Sequence, residues 1–99
     1  MKETELTRLI LDYLNLKGHF VWRNNTGAVT NAQDRFFRFG LPGSSDILGI
    51  SKTGKFIAIE CKQPGKKPTF LQEQFLNQIR NRQGIAIVAF GLEDISKTL

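Results

Sequence analysis

Ser45-Asp46-Ile47-Leu48-Gly49-Ile50-Ser51-Lys52-Thr53-Gly54-Lys55-Phe56-Ile57-Ala58-Ile59-Glu60-Cys61-Lys62 is the stretch that decides the fold. It holds two runs rich in β-branched and apolar residues, Ser45 to Ile50 and Phe56 to Lys62, joined by a short polar segment. That pattern reads as a β-hairpin. A three-residue loop, Lys52 to Gly54, places Gly54 at the position where such hairpins need a left-handed residue. Ser51 then faces Lys55, and Asp46 lies directly across from Glu60. Directly opposed residues have Cβ atoms roughly 4.5–5.5 Å apart and share a face. Lys62 lies two residues beyond Glu60 and shares that face as well.

Two opposed carboxylates in an apolar hairpin repel one another, and both stay ionised only with a cation between them. An all-oxygen donor set suits Mg²⁺ or Mn²⁺. Lys62 adds a proton-transfer group or a point charge beside the ion. A metal, a lysine and a water together are equipment for phosphodiester hydrolysis. Glu-x-Lys on an exposed strand is often no more than a solvated pair. Here, however, Ile57-Ala58-Ile59 is a continuous apolar run, the mark of a central strand covered on both faces. Gln63-Pro64-Gly65 ends the strand just beyond the charges, which puts them at its mouth.

Outward from the hairpin, Leu6, Leu9, Ile10, Tyr13 and Leu14 recur at helical spacing, so a first helix runs over residues 3–17 and stops at Gly18. Glu3 borders its apolar face; as an acid in the first turn it also suits the helix dipole. His19 to Asn24 reads as a strand with Phe20 and Trp22 on one face, and His19 itself as a surface residue at a loop. Residues 28–34 carry no periodic signal, and Arg35 to Phe39 reads as a short strand. A second helix spans Phe70 to Arg82, with Leu71, Phe75, Leu76 and Ile79 as its apolar face. Gln72 falls on that face. Thr69 and Gln72 also match a capping box, and the two roles are compatible. Gly84 ends this helix. Ile85 to Phe90 is a last buried strand, and a short tail helix begins near Glu93. The order is α-β-β-β-α-β with mixed pairing, an α/β fold in a single domain over residues 1–99.

The chain has 99 residues, with Lys plus Arg at 14 against 9 acids for a net charge of +5. Residues 15–67 hold nine basic residues and only three acids, Asp34, Asp46 and Glu60. Two of those three are the candidate metal ligands. Cations for phosphates around carboxylates for a metal are the distribution that nuclease chemistry requires. The single cysteine, Cys61, excludes an intrachain disulfide and reads as a small buried hydrophobe. A lone histidine excludes a multi-histidine zinc cluster. No apolar run reaches the roughly 18 residues of a membrane span and no signal-peptide pattern opens the chain, so a soluble, cytoplasmic protein is expected.

With these residues in place, the chain resembles the VRR-NUC domain family of the PD-(D/E)XK nuclease superfamily. The resemblance rests on Gly43-Ser44-Ser45-Asp46-Ile47-Leu48-Gly49, on Ile59-Glu60-Cys61-Lys62, and on Pro68-Thr69-Phe70-Leu71-Gln72 with Phe75. It extends to Glu3 and to Arg23-Asn24-Asn25-Thr26-Gly27. Ser45 stands where the superfamily's name has proline. In length the chain is similar to the stand-alone members found in bacteria and their phages. The resemblance implies a restriction-endonuclease-like core and Mg²⁺- or Mn²⁺-dependent DNA cleavage. It implies Asp46, Glu60 and the Cys61 carbonyl as metal ligands, with Glu3 as a further candidate. Lys62 would be the catalytic lysine, and Gln72 would support the lysine or the attacking water. Branched DNA, including four-way (Holliday) junctions, and a homodimer follow from the same resemblance. Arg23, Asn25, Arg35, Arg38, Lys66 and Lys67 are the candidates for contact with DNA. The alternative is a non-catalytic nucleic-acid-binding module that keeps the fold.

Overall fold

The chain forms α1 (Glu3–Leu16), β1 (Phe20–Arg23), β2 (Gly27–Thr30), β3 (Phe36–Phe39), β4 (Ile47–Ile50), β5 (Phe56–Cys61), α2 (Phe70–Asn81), β6 (Ile85–Ala89) and α3 (Glu93–Ser96). The computed structural model describes the backbone of residues 1–99 and every side chain outside residues 28–29 and 37–39.

The central hairpin has the register its sequence dictates. Ile47 pairs with Ile59 and Ile50 with Phe56. The Ser51 amide donates to the Lys55 carbonyl at 2.7 Å, and the Gly54 amide to the Ser51 carbonyl at 2.8 Å. Gly54 takes φ +92°, the left-handed conformation expected of it. The Ser51 hydroxyl accepts from the Lys55 amide at 3.0 Å, so a side chain as well as the backbone closes the turn.

Four strands build a mixed sheet in the order β1-β4-β5-β6, antiparallel except for the β5–β6 pair. The parallel pair requires a crossover, which α2 supplies. The α-β-β-β-α-β order is thus present as α1, β1, β4, β5, α2 and β6. A separate two-stranded sheet, β2 with β3, is inserted between β1 and β4. The β2 strand falls where the sequence has no periodic signal. Its pairing depends on the turn beyond it, where Asn31 Oδ1 accepts from the amides of Gln33 (3.0 Å) and Arg35 (2.9 Å). A side chain standing in for backbone in this way fixes a hairpin without any hydrophobic pattern.

One face of the four-stranded sheet carries the core. Val21, Ile47, Ile57, Ile59, Cys61 and Ala89 pack against Leu6, Ile10 and Leu14 of α1 and Ile95 of α3. Each fully buried Ile or Leu contributes roughly 1.5–3 kcal/mol. On the other face α2 lies over β5 and β6 and buries Leu76. The residues of β5 after Phe56 are all buried, in keeping with a central strand. Three expectations are corrected. Leu9 of α1 is exposed, and Thr7 is buried in its place, its hydroxyl donating to the Glu3 carbonyl at 2.8 Å. Leu71 of α2 is exposed, because α2 covers only two of the four strands. His19 is buried at 7% exposure rather than at the surface, with Nδ1 accepting from the Lys52 amide at 3.1 Å. No helix among the described residues is long and apolar enough to cross a membrane.

Candidate active site

The hairpin register carries on past the last regular pair. With Ile47 opposite Ile59, the next pair outward is Asp46 and Glu60, at the mouth of the two strands. Three further segments converge there. The β1 strand arrives through the Asn24 amide, which donates to the Asp46 carbonyl at 2.8 Å. The α2 helix arrives through Gln72. The α1 helix arrives through Glu3, whose Oε2 accepts from the Gln63 amide at 3.1 Å.

Asp46 is held from both sides. Its Oδ2 accepts from the Cys61 amide at 2.8 Å, which ties the carboxylate to β5. The loop that delivers it is fixed by Asn24, whose Nδ2 donates to Ser44 Oγ at 2.7 Å and to the Ser45 carbonyl at 3.0 Å. The same loop leans on the start of α2. Gly43 has φ +83°, and a Cβ there would lie 2.6 Å from the Leu71 carbonyl oxygen, so only glycine permits this approach. That contact brings the Asp46 loop to the turn of α2 that bears Gln72. Asn24 is a positioning residue that sequence reasoning missed. Its partners lie about twenty positions away, and only its place in the Arg23-to-Gly27 segment hinted at it.

Glu60 is only 2% exposed. Its Oε1 accepts from Gln72 Nε2 at 3.1 Å, and its Oε2 is buried with no partner. Burial pushes its carboxyl up from 4.5 to about 8. The neighbouring Asp46 raises it further by charge, while the Lys62 charge lowers it. Gln72 forms the capping box read from the sequence, and its remaining amide hydrogens reach Glu60 rather than Lys62. Its Oε1 accepts from the Thr69 amide at 2.8 Å in the capping box, leaving Nε2 for Glu60. Lys62 is half-buried just beyond Glu60. The one ion pair among the described residues, Lys97 with Asp94, lies elsewhere, so the Lys62 ammonium is not consumed by a carboxylate.

Among the described residues no group of three His, Cys, Asp or Glu side chains is arranged to hold an ion. The candidate ligands are instead two carboxylates and a main-chain carbonyl. Mg²⁺ is commonly held by one or two carboxylates and keeps several waters, so the set is sufficient. The unpartnered Oε2 of Glu60 requires either a proton or a cation. The Cys61 thiol is buried and pushed up to about 12, chiefly by burial, so it stays neutral and leaves the set all-oxygen.

Beside Asp46 lies a cleft of about 150 Å³ lined by Glu3, Thr4, Thr7, Arg23, Asn24, Asn25 and Asp46. It brings two of the candidate DNA contacts, Arg23 and Asn25, to the site. Lys66 and Lys67 are exposed on the loop after β5, and Arg35 is exposed at the β2–β3 turn. The Arg38 side chain lies outside the described residues. Scans of the chain against protein-family models, curated proteins and solved structures found no match.

Proposed function

We propose that the protein is a metal-dependent endodeoxyribonuclease of the VRR-NUC type, with a restriction-endonuclease-like core, that hydrolyses phosphodiester bonds in branched DNA. The observation that carries this reading is the buried, unpartnered Glu60 oxygen facing Asp46 in a chain of net charge +5. A carboxylate pair without a cation destabilises the fold, and its retention in the core requires a use.

Asp46, Glu60 and the Cys61 carbonyl would hold the ion, and Glu3, which lines the same cleft as Asp46 and accepts from the Gln63 amide, is a further candidate. When bound there, Mg²⁺ or Mn²⁺ supplies polarisation of a phosphoryl oxygen and a water of lowered pKa. Lys62 Nζ would orient the attacking water or take its proton. Gln72 Nε2 keeps Glu60 turned toward Asp46. Arg23, Asn25, Lys66 and Lys67 seat the backbone phosphates, with Arg35 and Arg38 reaching further along the strand. A symmetric four-way junction calls for two cuts, and a symmetric homodimer provides two sites.

The test is a cleavage assay with Mg²⁺ or Mn²⁺ on nicked, flapped, duplex and four-way DNA. Cutting that disappears in Asp46→Ala and in Lys62→Ala is the expected result. No cutting of any of these with either metal overturns the proposal. Salt-sensitive DNA binding that ignores both metal and Asp46→Ala then identifies a non-catalytic binding module.

A further inference from the structure

At the turn end of the central hairpin, away from the carboxylate pair, lies a second cavity of about 410 Å³. The 51–55 turn lines it together with His19 and Thr98. Asp46 and Ser51 flank β4 at opposite ends, which sets the two places roughly 16 Å apart. Alternation along the strand puts Ser51 on the side of Ile47, the side packed by α1 and α3.

The polar groups of this cavity are set as donors. His19 Nδ1 accepts from the Lys52 amide at 3.1 Å, so the ring proton lies on Nε2. The ring is buried and Nε2 has no partner. A buried N–H without an acceptor is costly, and folded proteins ordinarily supply one. The Ser51 hydroxyl accepts from the amides of Thr53 (3.3 Å) and Lys55 (3.0 Å), which takes both of its lone pairs. Its own hydrogen therefore goes to Thr53 Oγ1 at 3.0 Å and leaves the Thr53 hydroxyl hydrogen for another acceptor. Lys52 and Lys55 add two ammonium groups, neither in an ion pair among the described residues. No Asp or Glu side chain among the described residues lines the cavity.

Two cations with an N–H and an O–H repel a metal ion and complement an anion. Two lysines match a dianion better than the single charge of a backbone phosphodiester. A phosphate monoester carries about −1.5 to −2 charges at neutral pH and presents three acceptor oxygens. We infer that this cavity binds a phosphate monoester or the free phosphate ion, held by His19 Nε2–H, the Thr53 hydroxyl and the Lys52 and Lys55 ammonium groups. The terminal phosphate of a nucleotide strand and inorganic phosphate offer the same group. The site needs neither the metal nor cleavage, so it stands apart from the nuclease reading.

His19 is the only histidine, so its ring signals in an NMR spectrum report the cavity directly. The full chain is titrated in EDTA with inorganic phosphate at constant ionic strength, followed by calorimetry and by those signals. Saturable binding that shifts the His19 ring is expected, and chloride at the same ionic strength should give neither effect. His19→Asn keeps a side-chain acceptor for the Lys52 amide and removes Nε2. It should weaken phosphate binding roughly tenfold or more, as should Lys52→Gln with Lys55→Gln, both at exposed positions. Wild-type affinity in folded His19→Asn reduces the site to surface lysines and overturns the inference. So does wild-type affinity in the double lysine variant, or no phosphate binding at all. A terminally phosphorylated oligonucleotide that outbinds its hydroxyl-ended twin, but not in the double lysine variant, supports the inference with a strand end as the source. Phosphate binding with no preference between the two oligonucleotides supports it with the free ion as the source. Phosphate binding without cleavage of any DNA sinks the nuclease reading alone, and cleavage without phosphate binding sinks this inference alone.

Discussion

Glu60→Gln should abolish a pH dependence of stability that the unmodified chain shows when metal is withheld. The Glu60 carboxyl sits at about 8 in the folded protein against 4.5 ordinarily. Below pH 4.5 both folded and unfolded chains hold the proton, and Glu60 contributes nothing to the pH slope. Between pH 4.5 and 8 the unfolded chain releases the proton while the folded one keeps it, so stability falls. Above pH 8 both are ionised and the loss is complete. At about 1.36 kcal/mol per pH unit, the loss is on the order of 3–5 kcal/mol. That is a large part of the ~5–15 kcal/mol that holds a typical domain together. For a chain of this size it lowers Tm by roughly 15–30 °C. The assay is thermal denaturation from pH 5 to 9 in EDTA and again in excess Mg²⁺. The unmodified protein should lose stability with rising pH in EDTA and recover it in Mg²⁺. Glu60→Gln should show neither effect. Parallel profiles for the two proteins in EDTA, or stability that rises through this window, would refute the reasoning that an uncompensated carboxylate is buried here.

Four other outcomes follow. Metal binding at pH 7 should displace the Glu60 proton, releasing about 0.9 proton per ion, measurable by calorimetry in buffers of different ionisation enthalpy. Lys62→Ala should reduce cleavage by roughly 10²–10⁴-fold with metal affinity retained, separating its role from ligation in a titration followed by single-turnover kinetics. Thr69→Ala should cost about 1 kcal/mol through the lost cap and leave metal affinity alone, whereas Gln72→Ala should lower stability and affinity together, read by denaturant unfolding with and without Mg²⁺. Cys61, buried and pushed up to about 12, should resist thiol reagents at pH 8 until the chain unfolds, followed by the absorbance of the released chromophore.

The hairpin was legible because its determinants are local. A glycine at the left-handed position and two β-branched runs of matching length set the register, and the register alone opposes Asp46 to Glu60. Both long helices were legible from their period and stops, and the Thr69–Gln72 pairing from a four-residue motif. What escaped depends on distant partners. Burial of His19 rests on an amide 33 positions away. The part played by Asn24 rests on Ser44 and Ser45. The β2 strand is fixed by Asn31, whose side-chain turn leaves no hydrophobic pattern to read. Leu71 shows the limit of periodicity: it names the apolar face of a helix but not how much sheet that face meets.

The double attachment of Gln72 has a consequence for the order in which the molecule becomes competent. During synthesis the charged groups Glu3, Asp46, Glu60 and Lys62 all emerge before Thr69 and Gln72. Until α2 nucleates, Glu60 lacks its clamp. The amide that starts α2 is the amide that reaches Glu60, so helix initiation and site assembly are a single event. A nascent or partly unfolded chain therefore carries the candidate ligands without their arrangement. Completion of the fold, rather than the presence of the side chains, is what brings the candidate site together.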